Sequence, residues 1–563
     1  MHKKTILLFA GVGVLSITSI TGCKKNTKED SYTKDGKLKI SMRNLYFSNY
    51  QGGDVYLKDL EKQFQVKISF QPYSWANWET QVIGQVNGDS LPDVFHANID
   101  SYNFANLYKF WAEEAVTKAL PEDLSRWPNL EEMLNNISNI DALKINGKLY
   151  GIPIAKSTTD YSTLFSPFTY IYRRDWAKKY DVYQENDVYT WEQFENLLNV
   201  FSRRLGSDRY ALGDVEWGYP SIVNFYKQVP HCFAFDDELN KYVNNYTTAE
   251  YIKGMKKAKT FYGNGTGVYY PAQNTSKDGN MNEKYCSNKI GVFFENLSYS
   301  NYVDIKKELK ITNASLGADF NIDDATAIMK IKGPSDSAYS ANRYVLEGTD
   351  NWFSMTFFDR KISTKKQEKI LDILDWLLSK EGTIFSVFGR ENKEYEMVDP
   401  SSEDYDFQVD DETKVKLFSD YWPKNNDGTY AKKENGAKYL RYLVSLGYDT
   451  LRYDPLTDKD AVNYLESWEQ EMRDAYVADD PATPDVNEYL ENSGLTILIE
   501  NPEVRWLTTS KKATYSGQIR TKALQTVMKY IYNNGVNDGN YKSQFSSTWT
   551  EVLAEINKKL GYQ

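Results

Sequence analysis

The chain predicts an α/β fold built on a parallel sheet, from strands of period two, helices of period 3.6 and their strict alternation. Leu38-Lys39-Ile40-Ser41-Met42 and Val66-Lys67-Ile68-Ser69-Phe70 alternate apolar with polar, and Asp93-Val94-Phe95-His96-Ala97 reads as a third strand. Between them, Asp54 to Phe64 carries Val55, Leu57, Leu60 and Phe64 at helical spacing, and Trp75 to Val86 is a second helix. Strand, helix, strand, helix, strand within about 60 residues calls for strands running one way with helices on the faces. A chain of 563 residues is also too long for one core, so two lobes or several domains are expected.

The elements follow in order. Met1-His2-Lys3-Lys4 is basic, Thr5 to Ile20 is apolar, and Ile20-Thr21-Gly22-Cys23 has the form of a bacterial lipobox. The apolar run is too short for a stable bilayer span and reads as a secretory signal. Residues 1–23 are therefore expected to be a lipoprotein signal peptide whose cleavage leaves lipid on Cys23, anchoring the protein to the extracellular face of a Gram-positive-type membrane. Residues 24–37 are polar and charged and read as a flexible tether, with the Lys24–Lys28 cluster close to headgroups. Lys148 to Pro153 follows an Asn146-Gly147 turn and reads as an extended crossing between lobes. Phe168-Thr169-Tyr170-Ile171-Tyr172 is a strand, Thr190 with Gln193 makes a capping box for the next helix, and Lys289 to Phe294 is another buried strand. From about residue 365 onward the chain reads as mostly helical, with Ile370, Leu371, Leu374, Leu377 and Leu378 in one stripe.

Composition excludes several classes. A net charge of −11 without a Lys/Arg stripe argues against nucleic acid. Three histidines are too few for a zinc site, and no G-x-S-x-G, H-E-x-x-H or Walker A motif is present, so neither a metal nor a cofactor nor catalysis is expected, a secreted carbohydrate-active enzyme being the lesser alternative. Cys232 and Cys286 either pair, as export permits, or stay as buried thiols. The 44 tyrosines and 13 tryptophans exceed what a core needs and suit a wet, polar ligand surface. Ligands of open α/β sheets bind at the carboxyl ends of strands, which places Asn44, Tyr46, Tyr73, His96 and Asn98 near a candidate site.

Five motifs then occur in order: Gly88 to Val94, Lys148 to Pro153, Tyr172 to Ala177 with Tyr189 to Phe194, Leu374 to Gly382, and Phe388 to Tyr395. Together they resemble the extracellular solute-binding proteins of ABC importers, in the long lipoprotein branch that handles oligosaccharides. Two positions depart from the pattern: Val188-Tyr189 replaces a proline region, and Asn392 replaces a glycine. A calcium loop that several such proteins carry is absent, because Arg203 to Tyr210 has too few carboxylates, and Pro423 spoils the half-loop at Asn425 to Gly428.

The resemblance implies a two-lobed, type II binding-protein fold, with hinged lobes that close on an oligosaccharide and a helix-rich C-terminal part. It divides the chain into 38–155 with 329–390 as one lobe and 156–328 with 391–563 as the other. It also implies a monomer that hands its cargo to the transmembrane permease subunits, which are its protein partners. A pyranose needs a flat aromatic for its C–H face and carboxylates, amides or guanidinium for its hydroxyls. On that chemistry the candidate ligand residues are Asn44, Tyr46, Trp75, Trp78, His96, Asn98, Tyr170, Arg173, Trp217, Tyr219, Glu295 and Trp352. Peptides, polyamines and metal chelates remain alternative cargo on the same fold.

Overall fold

Alternation decides the two faces of the first strand: Leu38, Ile40, Met42 and Asn44 are buried, while Lys39 faces outward. The computed structural model describes residues 28–47, 50–72, 78–97, 105–137, 140–155, 168–206, 208–213, 221–226, 233–236, 238–262, 281–296, 299–335, 352–425, 428–431, 433–468 and parts of 523–562. In chain order the elements begin with β1 (Leu38–Asn44), α1 (Val55–Gln63), β2 (Val66–Pro72), α2 (Trp78–Asn87), β3 (Val94–Ala97), α3 (Ala105–Glu113), α4 (Pro128–Asn135) and β4 (Ile152–Ala155). There follow β5 (Phe168–Arg173), α5 (Arg174–Lys179), β6 (Val188–Tyr189), α6 (Trp191–Arg204), β7 (Tyr210–Gly213), β8 (Phe233–Asp236), β9 (Lys241–Asn244), α7 (Ala249–Tyr262), α8 (Met281–Cys286), β10 (Ile290–Asn296), α9 (Tyr299–Thr312), α10 (Ile322–Ala325) and β11 (Thr326–Ile331). The last group is β12 (Trp352–Phe358), α11 (Thr364–Leu378), α12 (Lys380–Phe388), β13 (Tyr395–Val398), β14 (Phe407–Asp410), β15 (Thr413–Leu417) and α13 (Gly436–Arg441).

The chain packs as two units, Met1–Leu164 with Asp350–Thr457, and Phe165–Thr349 with Asp458–Gln563. In the first, a five-stranded sheet has the order β2-β1-β3-β12-β4. β1, β2 and β3 are parallel, as their alternation with helices predicts, and β12 runs antiparallel between β3 and β4. Helix starts are set locally. Asp54 caps α1 by accepting from the N–H groups of Tyr56 and Leu57, and Ser363 caps α11, whose expected stripe buries Ile370, Leu371, Leu374 and Leu377.

In the second unit the sheet order is β6-β11-β5-β10-β7, with β5 antiparallel to both neighbours. The Thr190–Gln193 capping box opens α6 as expected. Ile171, Phe293 and Ile328 from the sheet pack with Tyr285, Ile305 and Leu309 from α8 and α9, and with Leu465 and Trp468 from the returning chain. Cys286 lies in this cluster as a free thiol, its Sγ 3.7 Å from the Ile305 carbonyl, and burial pushes its pKa up to about 12. Cys232 lies outside the described residues.

Three expectations change. The tether is not free over 24–37: residues 28–37 are docked, with Lys28 paired to Asp359 at 2.6 Å, Asp30 accepting from Ser363, and Tyr32 bridged to Leu38. Residues 391–457 pack in the first unit, and β11, which ends at Ile331, lies in the second-unit sheet, so the divisions expected at 329 and 391 fall elsewhere. The stretch after residue 365 is not helical throughout, because β13, β15 and β14 form an antiparallel sheet. Its cause is a period-two pattern in Thr413-Lys414-Val415-Lys416-Leu417, which buries Thr413, Val415 and Leu417 and packs the last two with Phe388, Phe407, Trp422 and Tyr453.

A buried carboxylate ties that small sheet to α1. Glu394 accepts from the Tyr56 hydroxyl at 2.8 Å, the Arg390 N–H at 2.8 Å and the Lys433 ammonium at 3.1 Å. Gly389 makes room for it, since its φ is +93° and a Cβ there would strike the Glu394 carboxylate and the Tyr56 ring. Burial alone would raise the carboxyl pKa, but these three donors hold it below the ordinary range. A depressed folded pKa gives stability that is present above the unfolded value and lost as pH falls through the folded one. Glu394→Gln should therefore lower stability at pH 7 by about 3 kcal/mol. Urea unfolding of both proteins should show the gap narrowing below about pH 4.3; an equal gap at both pH values would refute the role of the charge.

Candidate functional site

The carboxyl edge of the first-unit sheet is covered by a late segment of the same unit. Asn435 starts it by donating to the carbonyls of Phe385 and Ser386 at 3.1 and 3.0 Å, and the Gly436 N–H reaches Asp54 at 3.3 Å. Gly436 is needed for this approach, since a Cβ would meet the Tyr50 hydroxyl and lie 2.8 Å from Leu57 Cβ. The segment then runs along the strand ends. Asn44 Nδ2 donates to Tyr442 O at 3.4 Å, Thr356 Oγ1 to Leu443 O at 2.6 Å, Ala155 N–H to Val444 O at 3.0 Å, and Leu446 N–H to Ala155 O at 2.8 Å.

This seam sets out a row of aromatic rings. Tyr50 stacks on Tyr439 at 4.2 Å, Tyr439 meets Tyr442 at 6.3 Å, Tyr442 meets Tyr46 at 5.6 Å, and Tyr46 stacks on His96 at 5.6 Å. Tyr46, Tyr439, Tyr442 and Tyr448 are half-buried. Burial, with Tyr448 and Tyr442 beside it, raises the Tyr46 phenol well above its usual range, so it stays a neutral donor and acceptor.

Asn44 and His96 are fully buried beneath these rings. Asn44 Oδ1 accepts from the Tyr46 N–H at 2.7 Å, which fixes the turn after β1. His96 Nδ1 accepts from the Leu45 N–H at 3.4 Å, so the neutral ring carries its hydrogen on Nε2. Nε2 is buried with no hydrogen-bond partner among the described residues, as is Ser354 Oγ on β12. Both residues serve the edge from below, as supports of the aromatic row.

In the second unit the carboxyl ends of β10 and β11 and the start of β5 share one sheet edge. Glu295 is 5% exposed there, in register with Thr169. Tyr170 is buried; its ring stacks on Phe225 at 5.9 Å and its hydroxyl bonds Ser221. Ser221 is the first described residue after 214–220.

Arg173 does not join this edge. It lies at the other end of β5, opposite Thr326, where its guanidinium bonds Asp175 and Asn288 and covers the Trp176 ring at 4.3 Å. With Nε, Nη1 and Nη2 each donating one bond and 2% exposure, it is an internal brace. Trp78 is also interior, at 5% exposure, because it faces inward at the start of α2. Trp75, Asn98, Trp217, Tyr219 and Cys23 lie outside the described residues, and only the backbone of Trp352 is described, paired with Ala155 at the start of β12.

The residues that sequence reasoning missed are Tyr439, Tyr442 and Tyr448. The i, i+3 spacing of the first two was readable, but the partner of Tyr442, Asn44, lies 398 positions away. Among the described residues no group of three or more His, Cys, Asp or Glu side chains is arranged to hold a metal ion.

Burial pushes the His96 pKa down to about 3. Below about pH 6.5 the unfolded chain takes up a proton that the folded ring refuses, so this residue costs stability as pH falls toward 3. The ring should stay neutral across the working range. Nitrogen-15 NMR of the imidazole should show no titration of His96 from pH 8 to pH 4, and a midpoint near 6.5 would contradict its burial.

Residues 56–383, more than half of the chain, match the family model described as bacterial extracellular solute-binding protein. No curated protein matches the chain. Among solved structures, an extracellular solute-binding protein from Bifidobacterium longum subsp. infantis is similar at 14% identity and a TM-score of 0.57, covering 94% of this chain and 98% of that one. The Streptococcus pneumoniae ABC-transporter substrate-binding protein FusA, an EF-hand mutant in complex with fructo-nystose, is similar at 14% identity and a TM-score of 0.59, covering 93% and 99%. An HMO-binding, ABC-transporter-associated solute-binding protein from Bifidobacterium longum infantis is similar at 14% identity and a TM-score of 0.54, covering 93% and 97%. These likenesses give the fold, and from the family match over more than half of the chain the conclusion follows that the chain belongs to the bacterial extracellular solute-binding proteins.

Proposed function

We propose that the chain is the lipid-anchored, solute-binding component of an ABC importer and that its cargo is an oligosaccharide. The observation that carries the reading is the row of half-buried tyrosines along the carboxyl edge of the first-unit sheet, held over buried Asn44 and His96. Such rings offer flat apolar faces beside hydroxyl tips, the surface a pyranose stacks on. Glu295, buried at the second-unit sheet edge, is the acceptor assigned to sugar hydroxyls in this reading. The names of two similar structures, one in complex with fructo-nystose and one HMO-binding, support a saccharide cargo.

In this reading Trp75, Asn98, Trp217, Tyr219 and Trp352 complete the ligand contacts, while Arg173 and Trp78 do not take part. Ligand binding favours a closed form by differential affinity, and that form delivers the cargo to the permease subunits. Cys23 carries the lipid that holds the protein, as a monomer, on the outer face of the membrane. Catalysis has no part in it.

A thermal-shift panel of saccharides, peptides and polyamines on residues 24–563 tests the cargo class, because a ligand of the folded state raises the melting temperature. An oligosaccharide should stabilise the protein, recovered unchanged; stabilisation by peptides or polyamines alone would overturn the sugar assignment. For the saccharide so identified, Tyr442→Ala should weaken binding about tenfold, or about 1.4 kcal/mol, by isothermal titration calorimetry. An unchanged Kd would remove the aromatic row from the site.

A further inference from the structure

The segment just after the expected anchor is fastened to the first unit at a cluster of points. The Lys28 N–H donates to Lys361 O at 2.8 Å, and its ammonium donates to Leu91 O at 2.6 Å and pairs with Asp359, whose side chain is 7% exposed. Asp30 accepts from Ser363 Oγ at 2.9 and 2.8 Å, while the same hydroxyl caps α11 by accepting from the Lys366 N–H at 2.9 Å. Asp30 thus places its charge at the positive end of a 15-residue helix, where an anion is favoured. Beyond it, the Lys39 N–H donates to Ser31 O at 2.8 Å and Lys365 donates to the Tyr32 hydroxyl at 3.2 Å.

All these partners lie at the amino edge of the sheet, beside the starts of β1 and β3 and the end of β12. Five residue steps separate Cys23 from Lys28, and a fully extended chain covers about 17 Å in that length. Were the segment free as far as Leu38, the reach would be about 50 Å. We infer that the docked segment is a short mooring that holds the amino edge of the first unit against the phospholipid headgroups, with the aromatic carboxyl edge turned away from the bilayer. The inference rests on the lipid-anchor reading of Cys23.

Basic side chains at this edge can reach anionic headgroups, although acids are interspersed with them and the chain as a whole is acidic. Lys34, Lys39, Arg360 and Lys365 are exposed there and have no carboxylate partner among the described residues, while the exposed acids Glu29, Asp35, Glu113 and Glu114 stand beside them and Asp35 is paired with Lys37. Each basic group close to such a surface contributes about 1 kcal/mol of attraction. β1 alone, seven residues long, sets the two edges about 20 Å apart.

The test uses the full-length lipidated chain in vesicles that contain phosphatidylglycerol and spin-labelled headgroups, with a fluorescent unnatural residue at Lys34 or at Glu434. The Lys34 probe should be quenched and the Glu434 probe should not. Lys28→Ala with Asp30→Ala, which removes the pair with Asp359 and the bonds to Leu91 O and from Ser363, should abolish quenching at Lys34 in a chain that still unfolds cooperatively. A flexible Gly/Ser insertion between Thr27 and Lys28 should do the same while leaving the docking contacts intact. Chain that floats with the vesicles but shows no quenching at Lys34, or equal quenching at both probes, overturns the mooring alone. Failure to float, or equal flotation of Cys23→Ala, overturns the anchor reading and the mooring with it.

Discussion

The first unit depends on one seam, the hydrogen-bonded return of residues 435–446 onto the carboxyl ends of β1 and β4 and onto the antiparallel β12 between β3 and β4. Strand ends leave carbonyls and N–H groups that must find partners when buried. Here the partners are backbone groups from a segment almost 400 positions later than β1, with Asn435, Asn44 and Thr356 supplying the side-chain links. Everything that makes this edge a candidate ligand surface is downstream of the seam. It orients Tyr439 and Tyr442, covers His96, and holds Tyr46 between the buried imidazole and the Tyr442 ring.

Tyrosine serves two purposes in this chain, and the structure separates them. One set is structural: Tyr56 bonds Glu394, Tyr172 bonds Asp187, Tyr108 bonds the Leu143 carbonyl at 2.7 Å, and Tyr285 shares a hydrogen with Thr326 at 2.7 Å. These rings fill core volume, and each hydroxyl satisfies a buried polar group, with bonds to a carboxylate contributing about 1.5–3 kcal/mol each. The other set is the half-buried row at the sheet edge. The tyrosine surplus therefore reflects both a core built with polar-tipped rings and a surface kept aromatic, and composition alone could not divide them.

What was legible in the sequence was what is local. Asp54, Thr190 with Gln193, and Ser363 announce helix starts because a cap and its N–H partners lie within three positions. The parallel order of β1, β2 and β3 followed from alternation with helices, and Asn44, Tyr46 and His96 were placed at the edge by the rule that ligands meet strand carboxyl ends. What failed was non-local. Arg173 looks like an anion clamp until Asn288, 115 positions on, is seen to bond its guanidinium. Residues 28–37 look unstructured by composition because their polar groups are satisfied by Lys361, Ser363 and Lys365, which are more than 300 positions away. The small sheet after residue 394 was an exception, since its period-two signal was local and was overlooked beside the strong helical stripe before it.

The buried thiol of Cys286 has a practical consequence for work with this molecule. Only the thiolate reacts with alkylating reagents, and both its raised pKa and its enclosure by Tyr285, Ile305 and Leu309 withhold that species while the cluster is intact. Its modification rate is thus a built-in clock for opening of the second-unit core, readable by mass spectrometry without an added label. Ligands that tighten that unit and solvents that loosen it can be ranked by how they slow or speed one chemical event at one atom.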